Sequence, residues 1–210
     1  MKEVLCVGYV NGIDFLRDSL DCYQPYFSDI RIINNSLLPI DIPDYENVTI
    51  INLPVSLSTA QNVNWSRHIA IKGGFDVLWL LHHDMTVTVE KILTTKKQVA
   101  DAVMSGKKWG VVFTLYDVFC AFNVKALIDV GGWDALRFLY YTGDVDFYGR
   151  LQQNGWKILE TGGDGVWHYA SGVIALDSER DFVVQKLSDI GRELYLEKWK
   201  DNEFMKNKLI

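Results

Sequence analysis

Two acid-bearing turns hold the side chains best suited to chemistry: Leu80-Leu81-His82-His83-Asp84 and Thr142-Gly143-Asp144-Val145-Asp146. In the first, an apolar run stops abruptly in metal-capable groups. In the second, two carboxylates precede a short amphipathic stretch in which Phe147 and Leu151 are spaced i, i+4. One cluster can hold a cation and the other can take a proton. Moving a group off a diphosphate requires both.

Asp84 follows a strand-like run, so a sheet would fix its position at the strand's carboxyl end. Mg2+ and Mn2+ favour oxygen ligands and often bind through one or two carboxylates plus substrate phosphates. The competing reading is that Asp84 caps the turn before a helix near Val89. In an extended chain His82 points the same way as Asp84 and His83 the opposite way. Asp144 and Asp146 could cap and charge-compensate a helix N-terminus, which needs only one acid. Two acids at alternate positions fit a division of labour, with Asp144 accepting a proton from an acceptor hydroxyl and Asp146 supporting it. His168, after Val166-Trp167, is either a packed histidine or a contact to metal or diphosphate.

The elements that must position these groups alternate. Strands are expected over Glu3–Tyr9, Asp29–Asn34, Val48–Leu53, Asp76–Leu81, Trp109–Leu115 and Trp156–Glu160. Helices are expected over Ile13–Tyr23, Ser58–Lys72, Val89–Met104, Ala121–Val130, Asp144–Gln153 and Ser178–Trp199. This order predicts an α/β fold with a mostly parallel, doubly wound sheet flanked by helices. Ligands then bind beyond the carboxyl ends of the strands, where Asn34-Asn35 and His82-His83-Asp84 both fall. No G-x-G-x-x-G or P-loop glycine pattern occurs, which disfavours a dinucleotide oxidoreductase or P-loop kinase. Val7-Gly8-Tyr9-Val10-Asn11-Gly12 carries no Lys or Arg to grip a triphosphate, which disfavours a nucleotidyltransferase.

With 210 residues and 49% hydrophobic content, the chain can bury a substantial core as a single domain. Its net charge of -6 argues against nucleic acid as a partner. Cys6, Cys22 and Cys120 form neither a zinc spacing nor a disulfide framework, and they fit a reducing cytoplasm. No apolar run approaches the ~20 residues of a membrane span. The sequons at Asn34, Asn47 and Asn64 are therefore read as incidental.

A family resemblance rests on four segments in order: Phe122 to Gly131-Gly132-Trp133-Asp134, then Tyr141-Thr142-Gly143-Asp144-Val145-Asp146, then Gly155-Trp156-Lys157-Ile158, then Val166-Trp167-His168. These resemble the "A–L–x–x–V–G–G–F–D", "G–E–D–x–D", "G–W–x–I" and "V–x–H" motifs of family 2 glycosyltransferases of the GT-A fold. Gln61-Asn62 is similar to the family's "A–R–N" segment, and Lys198-Trp199 to its C-terminal "K–W". The resemblance implies a GT-A fold, a nucleotide-sugar donor, Mn2+ or Mg2+, and inversion at the anomeric carbon. It implies that Asp84 is a metal ligand, Asp144 the general base, and His168 a ligand near the metal and diphosphate. Donor contacts are expected from Asn34, Asn35, Gln61, Asn62, His82 and His83.

Residues 1–115 would form the nucleotide-sugar-binding half, and 116–210 the acceptor and catalytic half ending in a helix. A UDP-sugar is the favoured donor. A saccharide, a glycolipid head group or a protein hydroxyl is the acceptor. Three positions depart from the motifs. His82 stands for the first acid of D-x-D, Gly143 for the Glu of E-D, and Asn34 or Asn35 for an Asp that often contacts the nucleoside. The alternative reading these motivate is a nucleotide-sugar-binding partner subunit that has lost catalysis.

Overall fold

Alternating side chains along one set of strands feed two separate apolar layers, and this fixes the architecture. The computed structural model describes residues 1–36, 38–169 and 178–206. In chain order the elements are β1 (Glu3–Tyr9), α1 (Ile13–Tyr23), a 3-10 turn (Gln24–Tyr26), β2 (Ile30–Asn34), β3 (Val48–Asn52), α2 (Thr59–Lys72), β4 (Val77–His82), β5 (Met85–Val87), α3 (Val89–Met104), β6 (Trp109–Thr114), β7 (Tyr116–Asn123), α4 (Val124–Val130), α5 (Gly143–Gln153), β8 (Lys157–Glu160), β9 (Val166–His168), α6 (Ser178–Lys198) and α7 (Glu203–Lys206).

The main sheet has the order β3-β2-β1-β4-β7-β6-β8. Every pairing is parallel except those of β7 with β4 and β6. Leu5, Val7, Trp79, Leu81 and Phe119 face one layer, closed by Leu16, Leu20 and Tyr23 of α1 and by Ile92 and Val99 of α3. Their neighbours Val4, Cys6, Leu78, Leu80 and Cys120 face the other layer, closed by Ala60 and Ala70 of α2, Leu127 of α4, and Phe147 and Leu151 of α5. This is the mostly parallel, helix-flanked α/β sheet that the alternating pattern predicts.

The chain leaves β1 toward β2 on one side and returns to β4 on the other, with α1 and α2 on opposite faces. In such sheets a reversal of this kind marks the expected ligand side, here the carboxyl ends of β1 and β4, where Gly8 pairs with His82. Directly after β4, β5 pairs with β9 in a small antiparallel sheet, in register Met85↔His168, Thr86↔Trp167 and Val87↔Val166. The glycine-rich loop before β9 makes this possible. Gly165 adopts φ 79, and a Cβ there would lie 2.6 Å from Thr88 Oγ1. The Thr88 N–H donates to Gly165 O at 2.9 Å, and the Lys91 ammonium donates to the carbonyls of Thr161 and Gly162 at 2.8 and 3.0 Å.

Two expectations need correction. The helix expected over Ala121–Val130 begins only at Val124, because β7 continues through Asn123. Ala121 and Phe122 are sheet residues hydrogen-bonded to β4 on one side and β6 on the other. Their burial between two strands outweighs the local helical pattern. Asn123 then caps α4, its Oδ1 accepting from the Lys125 N–H at 3.1 Å. The second correction is β5, a short strand where only a turn is expected. Three residues carry too little sequence pattern to register, and their pairing partner lies far along the chain.

The Gly131-Gly132 pair has a packing reason. Asn64 of α2 clamps the following residue, donating to Trp133 O and accepting from the Trp133 N–H, both at 2.8 Å. A Cβ on Gly132 would sit 2.1 Å from Asn64 Oδ1. Gly132→Ala is expected to lower stability by about 1–3 kcal/mol in urea unfolding, through loss or displacement of this clamp.

Candidate active site

His82 ends β4, Asp84 follows two residues later, and His168 ends β9. One ligand atom from each lies within 4.8 Å of the other two. His168 Nε2 is 3.3 Å from Asp84 Oδ1 and 3.4 Å from His82 Nδ1. Pairing of Met85 with His168, backed by the Tyr169 N–H donating to Asp84 O at 3.0 Å, draws these distant segments together. Burial works to raise the Asp84 carboxyl. The hydrogen bond from His168 and the imidazoles of His83, His168 and His82 outweigh it, so the acid stays below its usual range and is ionised.

The donor set fits a divalent cation. Two ligand atoms bound to one ion at 2.0–2.2 Å, at octahedral or tetrahedral angles, are about 3.0–3.5 Å apart. The His168–Asp84 and His168–His82 separations fall in that range.

His83 does something else. Its Nδ1 and Nε2 lie 2.8 Å from Gly8 O and 2.9 Å from Asn11 O. It thus bolts the end of β4 to the loop after β1, with its ring edge-on to Tyr9. Burial lowers its pKa, against the opposing pull of Asp84 and of the two carbonyls. Of the two adjacent histidines, one faces the cluster and the other braces the backbone.

The other four expected donor contacts, Asn34, Asn35, Gln61 and Asn62, differ in their freedom. Asn34 is saturated: its Nδ2 donates to Leu38 O and Asn52 Oδ1 at 3.0 and 2.8 Å, and its Oδ1 accepts from the Ser36 N–H and hydroxyl at 2.9 and 2.8 Å. Asn35 is buried, and its Oδ1 accepts from the Leu57 N–H at 3.3 Å. Gln61 completes a capping box with Ser58. Asn62 lies against the backbone of Gly8, where a Cβ would come within 2.7 Å of its Nδ2. That buried Nδ2 has no hydrogen-bond partner.

Asp144 lies in the first turn of α5. The residue before the helix, Thr142, has φ 75 and is the one non-glycine residue with positive φ among the described residues. A β-branched residue held there costs on the order of 1–3 kcal/mol and typically marks a site where geometry is imposed. Burial and the negative charge of Asp117 raise the Asp144 carboxyl to about 6, against backbone hydrogen bonds from Val145, Asp144 and Thr142. Asp117, on β7, goes unnoticed in the sequence, although an acid inside the apolar run Tyr116-Asp117-Val118-Phe119 was a signal. The β4–β7 register ends at Leu81↔Phe119. Because β7 runs antiparallel to β4, its start, which carries Asp117, lies toward the carboxyl end of β4, and the charge of Asp117 bears on Asp144.

Gly143, where the motif has Glu, is buried. A Cβ there would meet Trp133 Cε3 at 3.2 Å and Phe138 Cβ at 3.4 Å, so these aromatics fill the place of the missing side chain.

Asp146 is fully buried and fully engaged. It binds Arg150 Nε at 2.9 Å, Lys198 Nζ at 2.8 Å and Trp199 Nε1 at 2.8 Å. Lys198 also reaches Asp134 at 3.0 Å, and Arg150 donates to the carbonyls of Val130 and Gly132 at 2.6 and 2.7 Å. The Lys198-Trp199 pair thus fastens the end of α6 onto the start of α5. Asp146 holds this junction.

No protein-family model and no curated protein matches the chain. Solved structures do. The chain is similar to the mannosyltransferase PcManGT from Pyrobaculum calidifontis in complex with GDP-Man and Mn2+, at TM-score 0.54 and 11% identity, covering 78% of this chain and 55% of that one. It is also similar to S. aureus TarS 1–349, at TM-score 0.59 and 10% identity, covering 97% of this chain and 75% of that one. The fold is GT-A. The chain spans about half the length of PcManGT, 55%. His82 and His168 of the first cluster stand at the carboxyl ends of β4 and β9. Among the described residues no helix is long and apolar enough to cross a membrane.

The raised Asp144 carboxyl sets a stability prediction. The folded protein binds this proton more tightly than the unfolded chain does. Stability should therefore fall as pH rises from about 4 to about 6 and stay lower above that. Asp144→Asn should flatten that segment of the profile and stabilise the protein at pH 7.5 by on the order of 1–3 kcal/mol. Melting temperatures measured across pH 4–8 for both proteins check it.

Proposed function

We infer that this protein transfers a sugar from a nucleotide-diphosphate donor to an acceptor hydroxyl, with inversion, and that it needs a divalent cation, Mn2+ or Mg2+. The reading rests on the His82–Asp84–His168 cluster with its ionised Asp84, together with the raised Asp144 carboxyl, in a GT-A fold. A mannosyltransferase of similar fold that holds GDP-Man and Mn2+ supports it.

In this reading Asp84 and His168 hold the cation, which supplies neutralisation of the charge on the departing diphosphate. Asp144 accepts the acceptor's proton as the new oxygen–carbon bond forms at the anomeric carbon and the bond to the diphosphate oxygen breaks. A carboxyl raised to about 6 is ionised at neutral pH yet a stronger base than an ordinary one. Burial, with the charge of Asp117 added to it, sets that basicity. Asp146 supports from behind, by fixing the first turn of α5. Asn35 and Asn62 are the nucleoside contacts we favour on the β1–β2 side of the sheet, Asn62 through its unpartnered amide. Residues 1–115 serve the donor and 116–210 the acceptor, in one domain that works in the cytoplasm. The acceptor is a saccharide, a glycolipid head group or a protein hydroxyl. The sequence favours a uridine donor, but the donor in the mannosyltransferase complex is a guanosine one. Both belong in the test.

A panel of UDP-, GDP- and dTDP-sugars, with and without Mn2+, is expected to yield one nucleotide class that raises the melting temperature and is slowly hydrolysed. With that donor, Asp144→Asn should keep binding and lose turnover by about 10²–10⁴-fold, whereas Asp84→Ala should lose cation-dependent donor binding. Full turnover in Asp144→Asn would remove it as the base. Donor binding without turnover in the unaltered protein would favour the lapsed partner subunit.

A further inference from the structure

The hydroxyl of Tyr148 is buried and has no hydrogen-bond partner among the described residues. Tyr148 and Asp144 stand i, i+4 on one face of α5, and a long helical side chain leans toward the helix N-terminus, here toward Asp144. The Tyr148 ring packs on Phe113, 5.8 Å between centroids, one residue before the end of β6. Asp117 follows on the first turn of chain into β7. Cys120 of the layer closed by α5, Tyr148 and Asp144 all feel the charge of Asp117. Asp117, Asp144 and Tyr148 thus form one neighbourhood, built from β7 and α5.

The phenol keeps its proton. Burial holds its pKa well above the usual range, and the charges of Cys120, Asp117 and Asp144 push the same way. A buried donor without an acceptor is costly, and neither acid takes this one. An alcohol hydroxyl would answer it, since it accepts from one partner and donates to another. Tyr148 offers an O–H donor and the Asp117 carboxylate an acceptor, which together complement one hydroxyl. Asp144, one helical turn earlier, is left for another. Two neighbouring hydroxyls on a rigid frame are what a sugar ring presents. A serine or threonine side chain presents one, and would leave Tyr148 and Asp117 unmatched.

We propose that Tyr148 and Asp117 hold a second acceptor hydroxyl beside the one Asp144 deprotonates, and that the acceptor is therefore a sugar ring with neighbouring hydroxyls, free or lipid-borne, and not a protein side chain. This rests on the reading of Asp144 as the base of the transfer, and it narrows that reading's choice of acceptor.

The test uses the full chain, with and without Mn2+ and UDP or GDP, and follows probe binding by saturation-transfer NMR. The probes are methyl glycosides of glucose, galactose and mannose, their octyl counterparts, and N-acetylthreonine amide. At least one methyl glycoside should bind, and the threonine probe should not. Tyr148→Phe should weaken that glycoside by about tenfold, and Asp117→Asn by about 10–100-fold. Among its monodeoxy forms, one should lose about tenfold on the unaltered protein and little more on Tyr148→Phe, because both changes delete the same interaction. Without ligand, Tyr148→Phe should melt no lower than the unaltered protein, since the hydroxyl has no protein partner to lose. Tighter binding of the octyl form would assign a lipid-borne head group, and equal binding a free saccharide; both support the inference. It is overturned if no glycoside binds, if the threonine probe binds equally, or if ligand-free Tyr148→Phe melts lower. Glycoside binding indifferent to both substitutions would also overturn it, leaving the hydroxyl to an ordered water. Tyr148-dependent glycoside binding without transfer from any nucleotide sugar would leave this inference standing and remove the function. Transfer to threonine peptides, or transfer unaffected by Tyr148→Phe, would do the reverse.

Discussion

The pairing of Met85–Val87 with Val166–His168 is the constraint on which the site depends. Without it, His168 is a residue on a distant loop and Asp84 an acid after a strand. With it, the two are 3.3 Å apart, and His82 arrives from the strand that feeds the pairing. A three-residue strand has little stability of its own. It is held from below by α1, from behind by the carbonyl grip of Lys91 on the glycine-rich loop, and from the side by the Tyr169 N–H on Asp84 O.

The acids of the second turn show how neighbouring residues of one type come to different ends. Asp146 points into a junction where Arg150, Lys198 and Trp199 meet all its hydrogen-bonding needs, and a buried carboxylate is tolerable only when so paired. Asp144 is largely shielded from water and lies beside another acid, and its backbone donors do not offset these, so its charged form is disfavoured. The strain at Thr142 belongs to the same arrangement. A left-handed residue stands directly before the helix whose first turn carries both acids. The two acids also differ in the kind of support they use, since Asp146 answers to the C-terminal helix and Asp144 to β7.

Much of the fold was legible in the chain. The run Glu3–Tyr9 and the helices Ser58–Lys72 and Val89–Met104 are local patterns, and the structure keeps them at nearly the expected bounds. β7 was not legible in full. Ala121 and Phe122 read locally as the start of a helix, and only insertion between β4 and β6 makes them sheet. The three-residue β5 escaped for a related reason, as its partner lies in the second half of the chain. Of the candidate site, the residue types were visible and the pairings were not. The sequence suggested that His82 and His83 face opposite ways, and the structure shows which of them joins the cluster.

The order of residues by itself determined the alternating α/β pattern, the metal-capable and acidic turns, and the resemblance to family 2 glycosyltransferase motifs. These are properties of spacing within a few turns of chain, where period and capping rules operate. Tertiary structure alone decided that Asp84 and His168 share one point in space, that Asp117 bears on Asp144, and that Asp146 is a fastener. Each of these depends on burial or on a contact between remote segments. Coulombic and desolvation energies are set by the distance and dielectric that the folded sheet creates, and not by position along the chain.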